Sequence, residues 1–159
     1  MTLRIRRVVT GHDSNGKAIV AIDEIARNVV LGRTGAHFAV IWSTDSLPAD
    51  NTEAGDGGLR EVGTAMPNGS VFRVVKFNPG VAPRLHRTAS IDYAVVIDGE
   101  IDMELDDAQT VHLTAGDVLV QRGTIHNWVN RGSAPCTMAF VLVAAAPVTV
   151  GGKTLHAEG

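Results

Sequence analysis

The chain has 159 residues, 45% hydrophobic and 19% charged, which suits one compact domain and excludes a disordered polymer. A net charge of -3 argues against general nucleic-acid affinity, and the lone Cys136 excludes an intramolecular disulfide and fits a reducing cytoplasm. No apolar run approaches the roughly 18 residues of a membrane span, and Met1–Arg7 lacks the apolar stretch of a secretory signal.

In chain order, Asn15-Gly16 marks a turn before a strand over Ala18–Ile22. Asp23–Val30 has a helical look, weakened by its β-branched residues, and His37–Trp42 reads as a strand. Ser43–Ser70 is too polar and Gly-rich for a strand, and is either a mobile surface loop or a lid. Val71–Phe77 is rich in β-branched and aromatic residues and ends at Pro79-Gly80. Asp98-Gly99, between Tyr93–Ile97 and the alternating Ile101–Leu105, gives a two-residue hairpin signal. Thr110–Leu113, Val118–Gln121 and the nearly apolar Met138–Ala144 read as further strands, and the residues after 150 as a frayed tail. Many short strands punctuated by turns predict an antiparallel sandwich or barrel.

Two blocks carry the chemistry. The first runs from Gly80 through His86, Thr88 and Asp92 to Gly99; the second is Gln121-Arg-Gly123-Thr-Ile-His126-Asn-Trp128-Val-Asn130. They resemble the paired motifs of the cupin superfamily, Gly-x5-His-x-His-x3–4-Glu-x6-Gly and Pro-x-Gly-x-x-His-x-x-x-Asn. Thr88 stands where the first motif has its second His, Asp92 where it has Glu, and Gln121 where the second has Pro. The resemblance implies an all-β fold, a cupin-type double-stranded β-helix (jelly-roll) barrel. It would form one domain over 1–159, with an N-terminal arm over 1–35, the polar loop over 43–70, a barrel core over 71–145 and a tail over 151–159. It also implies a homodimer, with Leu3–Val9 a candidate for strand exchange.

Alternation along a strand places His86, Thr88, Ser90 and Asp92 on one face and turns Tyr93, Val95 and Ile97 away. His126, arriving after the Gly123 turn, would meet His86 across the lumen. Two imidazoles and a carboxylate suit a divalent first-row metal (iron, zinc, nickel or manganese), with His86, Asp92 and His126 as ligands and no organic cofactor. Loss of one imidazole at Thr88 and of one methylene at Asp92 leaves open a metal-free site where the same residues do acid–base work. Gln121 either lends its amide oxygen or orients a ligand. Arg73 and Arg84 are candidates to hold an anionic substrate, since guanidinium forks bind carboxylates, while Arg87 faces outward by parity. Thr88 and Trp128 would line the pocket, Trp128 equally serving as packing. His112 reads as solvated, His37 as a pocket candidate and Cys136 as a buried small residue.

Three functions fit these residues. One is a lyase, a dehydratase or decarboxylase acting on a hydroxylated or keto carboxylic acid; one is an iron-dependent dioxygenase; one is a non-catalytic binding module for a small ligand. None of these readings involves nucleic acid or a membrane.

Overall fold

The computed structural model describes residues 3–159, so Met1 and Thr2 of the N-terminal arm fall outside it. The strands are β1 (Arg6–His12), β2 (Ala18–Ile25), β3 (Val29–Leu31), β4 (Ala36–Thr44), β5 (Ser70–Phe77), β6 (Ser90–Asp98) and β7 (Glu100–Glu104). After a short 3-10 turn at Asp106–Ala108 come β8 (Thr110–Thr114), β9 (Val118–Arg122), β10 (Asn127–Val129), β11 (Cys136–Ala144), β12 (Val148–Val150) and β13 (Lys153–Leu155). A six-stranded sheet in the order β3-β4-β5-β11-β6-β9 faces a three-stranded sheet in the order β10-β7-β8, with separate hairpins β1-β2 and β12-β13. This is the expected jelly-roll barrel.

Alternation explains how the sheets close on one another. In β6 the inward row is Ser90, Asp92, Ala94 and Val96, all buried, while Tyr93 and Ile97 are exposed. Inward residues of β5 and β11 (Val71, Val75, Phe77, Met138, Phe140 and Leu142) share one core with Ile101, Met103, Leu113 and Trp128 of the smaller sheet. Each such side chain contributes about 1.5–3 kcal/mol by leaving water. Strand β11 is apolar on both faces because it lies mid-sheet, between β5 and β6. Its outward Ala139 joins a second cluster in which Leu3, Ile5 and Ala26 cover Ala39, Ile41 and Val74.

Three expectations are corrected. Asp23–Val30 is not helical: β2 runs through Ile25 and β3 begins at Val29. Its acidic residues are placed by cross-strand partners, Arg6 to Asp23 at 2.7 Å and Arg7 to Glu24 at 2.6 Å. Asp98-Gly99 is not a hairpin turn. β6 pairs with β9 and β11 while β7 pairs with β8 and β10, so the chain changes sheets there. The polar loop, open to either reading, is tied to the barrel where buried Arg7 donates to Asp56 Oδ1 at 2.6 Å and Ser43 Oγ to Gly57 O at 2.7 Å. The tail is not frayed, since Glu158 bridges to Arg87 by backbone and side chain. Leu3–Val9 is engaged within its own chain, β1 pairing β2 along Arg6–His12.

Candidate functional site

His86 lies on the segment joining β5 to β6, and that segment is stitched down by the asparagines of the second block. Asn127 Oδ1 accepts from Arg84 N at 2.9 Å, Asn130 O accepts from Gly80 N at 3.0 Å, and Asn130 Nδ2 donates to Phe77 O at 2.9 Å. His86 and His126 then pair backbone to backbone, N to O at 3.0 and 2.9 Å, which brings their rings to 4.1 Å between centroids.

Each imidazole is oriented by a carbonyl two residues earlier. His86 Nδ1 lies 3.0 Å from Arg84 O and His126 Nδ1 3.0 Å from Thr124 O. At His86 the carbonyl accepts, which favours the Nδ1–H tautomer and leaves Nε2 as the basic nitrogen, whereas at His126 the Gln121 amide nitrogen competes for the same Nδ1. The Gln121 amide closes on the His126 ring, 2.6 Å from Nδ1 and 3.2 Å from Nε2. Burial, reinforced by the neighbouring His86 and by Arg84 and Arg33, pushes His126 down to about 4. Burial also lowers His86, helped by Arg84, Arg33 and Arg73. Both rings are neutral at physiological pH.

Asp92 stands opposite Gln121 in the sheet and is buried. Its Oδ1 accepts from Ser90 Oγ at 2.5 Å and its Oδ2 from Thr88 Oγ1 at 3.4 Å. Burial raises its carboxyl above the ordinary range, against the pull of Ser90 and Arg73. Arg73 donates to Thr64 O and lies over the Phe38 ring at 5.5 Å. Burial draws its guanidinium down to about 10, which leaves it cationic at neutral pH.

These groups line a cavity of about 310 Å³. His86, His126, Asp92, Arg73, Arg84, Thr88 and Trp128 from the sequence reading all reach it, together with Phe38, Phe77 and Phe140. Gln121 acts from behind, through the His126 ring. Trp128 does both things expected of it: it lines the cavity and packs against Phe140 at 5.6 Å and Phe77 at 6.1 Å. His37 is not among the lining residues, Tyr93 faces out, and Arg87 is tied to Glu158. The sequence reading missed Arg33, a solitary cation in the Gly32–Gly35 turn, and Thr64, which the polar loop delivers to the cavity. Neither had a local signal, because both arrive by tertiary packing.

Among the described residues no three His, Cys, Asp or Glu side chains converge as a metal centre requires. The two imidazoles are suitable donors, while the Asp92 oxygens accept from Ser90 and Thr88 and do not group with the imidazoles as a three-ligand set here.

The family model of the cupin domain matches residues 73–143, the stretch that contains both histidines. A cupin-domain-containing oxidoreductase, fogC of Aspergillus ruber, is 37% identical over 96% of this chain and 79% of that protein. The chain belongs to the cupin family. This cupin is also 40% identical to the phomopsin biosynthesis cluster protein C' of Diaporthe leptostromiformis, over 94% of the chain and 83% of that protein. Among solved structures, the cupin resembles a double-stranded β-helix protein of Klebsiella pneumoniae at a TM-score of 0.53 and 20% identity, covering 83% of this chain and 92% of that one. It resembles the Schizosaccharomyces pombe Cnp3 cupin domain equally, at a TM-score of 0.53 and 12% identity over 87% of each chain. Both likenesses concern the fold alone.

Proposed function

We propose that this cupin is an acid–base enzyme of the lyase type, acting on a hydroxylated or keto carboxylic acid. The observation that carries the reading is the pair of buried, neutral imidazoles 4.1 Å apart, set among arginines in one cavity. Gln121 occupies the His126 ring, so His86, 6% exposed against 2% for His126, is the freer base. His86 Nε2 takes the proton from the carbon next to the substrate carbonyl or carboxylate. The C–H electron pair moves into a carbon–carbon double bond, with the transient oxyanion charge balanced by nearby Arg73 and Arg84. The C–O bond to the hydroxyl then breaks, and the His86 imidazolium returns its proton to that oxygen as water leaves. His126 stays neutral and holds His86 in place through their backbone pair. No step is routed through a metal, because the residues do not assemble a three-ligand set.

A second reading is favoured by the relatives' names. Relatives of 37% and 33% identity are called cupin-domain-containing oxidoreductases. A redox reaction here would need an electron acceptor such as dioxygen, and the iron-dependent dioxygenase is its concrete form. One experiment separates the two: a panel of 3-hydroxy and 2-keto carboxylates incubated in deuterated water, with an oxygen electrode in parallel. The lyase reading expects deuterium at the carbon next to the carboxyl or ketone, or loss of water. His86→Gln should slow this about 10²- to 10⁴-fold, the usual worth of a positioned base. Dioxygen uptake stoichiometric with product, unchanged exchange in His86→Gln, or binding without turnover would each overturn it.

A further inference from the structure

Among the described residues two buried side-chain nitrogens have no hydrogen-bond partner, Arg33 Nη2 and Arg87 Nε. Arg87 is not among the residues lining the cavity, and its Nη1 pairs with Glu158 at the tail. Arg33 is different, because it lines the cavity. Its Nε is anchored to Ala82 O and its guanidinium lies 5.8 Å from the centre of the Phe77 ring, which fixes the fork in position while one end is left unmatched. A buried donor without an acceptor is costly, and a guanidinium donor more so than a neutral one.

The other two arginines of the cavity each place one nitrogen on protein acceptors. Arg84 Nη2 donates to Thr64 Oγ1 at 3.2 Å and Gly159 O at 2.7 Å, and Arg73 Nη2 donates to Thr64 O. Of the three, only Arg33 has a buried side-chain nitrogen without an acceptor. The apolar walls combine aliphatic Ala36, Val75 and Leu142 with four aromatic rings, Phe38, Phe77, Trp128 and Phe140, of which Phe77 and Trp128 are inclined at 28°. At about 310 Å³ the space is at the small end of ligand sites.

We infer that Arg33 is the anchoring residue of a carboxylate subsite, and that the cavity selects a small acid whose carboxylate meets the Arg33 guanidinium while a planar aromatic ring lies among Phe38, Phe77, Trp128 and Phe140. This names the substrate class of the proposed acid–base site and rests on that reading only in taking the cavity as the place of reaction. A carboxylate supplies the acceptor that Arg33 lacks, and charge-assisted bonds of this kind are strong in a shielded cavity. A planar ring matches the aromatic walls better than a puckered one of equal volume.

The test is calorimetric titration of the full chain with benzoate, benzamide, cyclohexanecarboxylate and benzyl alcohol. Benzoate should bind at least 10-fold tighter than benzamide and several-fold tighter than cyclohexanecarboxylate. Arg33→Met should lower benzoate affinity at least 10-fold and leave benzyl alcohol within 2-fold, and Arg33→Lys should fall between. Equal binding of benzoate and benzamide by the unmodified chain overturns the inference, a comparison that needs no variant to fold. So does an Arg33→Met chain, folded by circular dichroism, that binds benzoate unchanged. His86→Gln keeps the failures apart. If it still catalyses exchange, the acid–base reading falls while the Arg33 subsite stands; if it binds benzoate normally and Arg33→Met does not, the subsite is upheld independently of the chemistry.

Discussion

At the scale of single residues, His126 carries a consequence for stability. Its imidazole titrates at about 4 in the folded chain, against about 6.5 once unfolded. Between those values the unfolded chain binds a proton that the folded one refuses, so the contribution is intact above about pH 6.5 and is lost as pH falls toward 4. The shift corresponds to about 3 kcal/mol for this group, and His86 acts in the same direction. Urea unfolding of the unmodified chain and of His126→Gln, at pH 7.5 and pH 4, should show their stability difference change by about that amount in favour of the variant at low pH. A difference independent of pH would mean that the folded His126 is not held neutral. The residues of this site were legible to different degrees. His86, Thr88 and Asp92 could be placed on one face because strand alternation is local. What spacing does not announce is the Ser90 hydroxyl, two residues earlier on that same face, which donates to Asp92 Oδ1.

Among the elements, the junction of β6 and β7 shows where local signals stop. Asp98-Gly99 is a turn by its chemistry, and Gly99 does adopt a positive φ of 80°. Yet turn chemistry fixes only the backbone at the corner, while strand partners are chosen by long-range packing, and here they send the two strands to different sheets. The Asp23–Val30 segment teaches the same lesson, since its acidic residues answer to arginines 17 positions earlier. By contrast the strands of the barrel, His37–Trp42, Val71–Phe77 and Met138–Ala144, were readable within a residue or two because apolar alternation and composition mark them directly. Gly99→Ala tests the corner. A Cβ there would stand 2.6 Å from Pro135 O and 3.0 Å from Cys136 Cα, in a conformation that L residues resist. We expect a loss of about 2 kcal/mol or more by chemical denaturation. An unchanged unfolding midpoint would show that the corner has room to relax.

For the whole molecule, the outer face of the large sheet is covered on one side only. Leu3, Ile5 and Ala26 protect Ala39, Ile41 and Val74, but the row Phe72–Val141–Tyr93–Val120 crosses β5, β11, β6 and β9 without such a cover. Tyr93 and Val120 are about half exposed, and Val118 beside them is 76% exposed. Contiguous apolar patches of this kind mark association surfaces. The N-terminal strand pairs β1 with β2 in the single chain, and this exposed row is a second candidate surface for self-association beside it. A two-fold dimer through the row would be self-complementary, each Tyr93–Val120 patch meeting its copy. Light scattering should give twice the 16.8 kDa chain mass. Tyr93→Asp with Val120→Asp should return the single-chain mass, because burying two carboxylates in the interface is costly. Both side chains face away from the cavity, so benzoate binding should survive. A variant that stays dimeric would exclude this face as the interface, and one that loses its fold as well would place the row in the stability of the single chain instead.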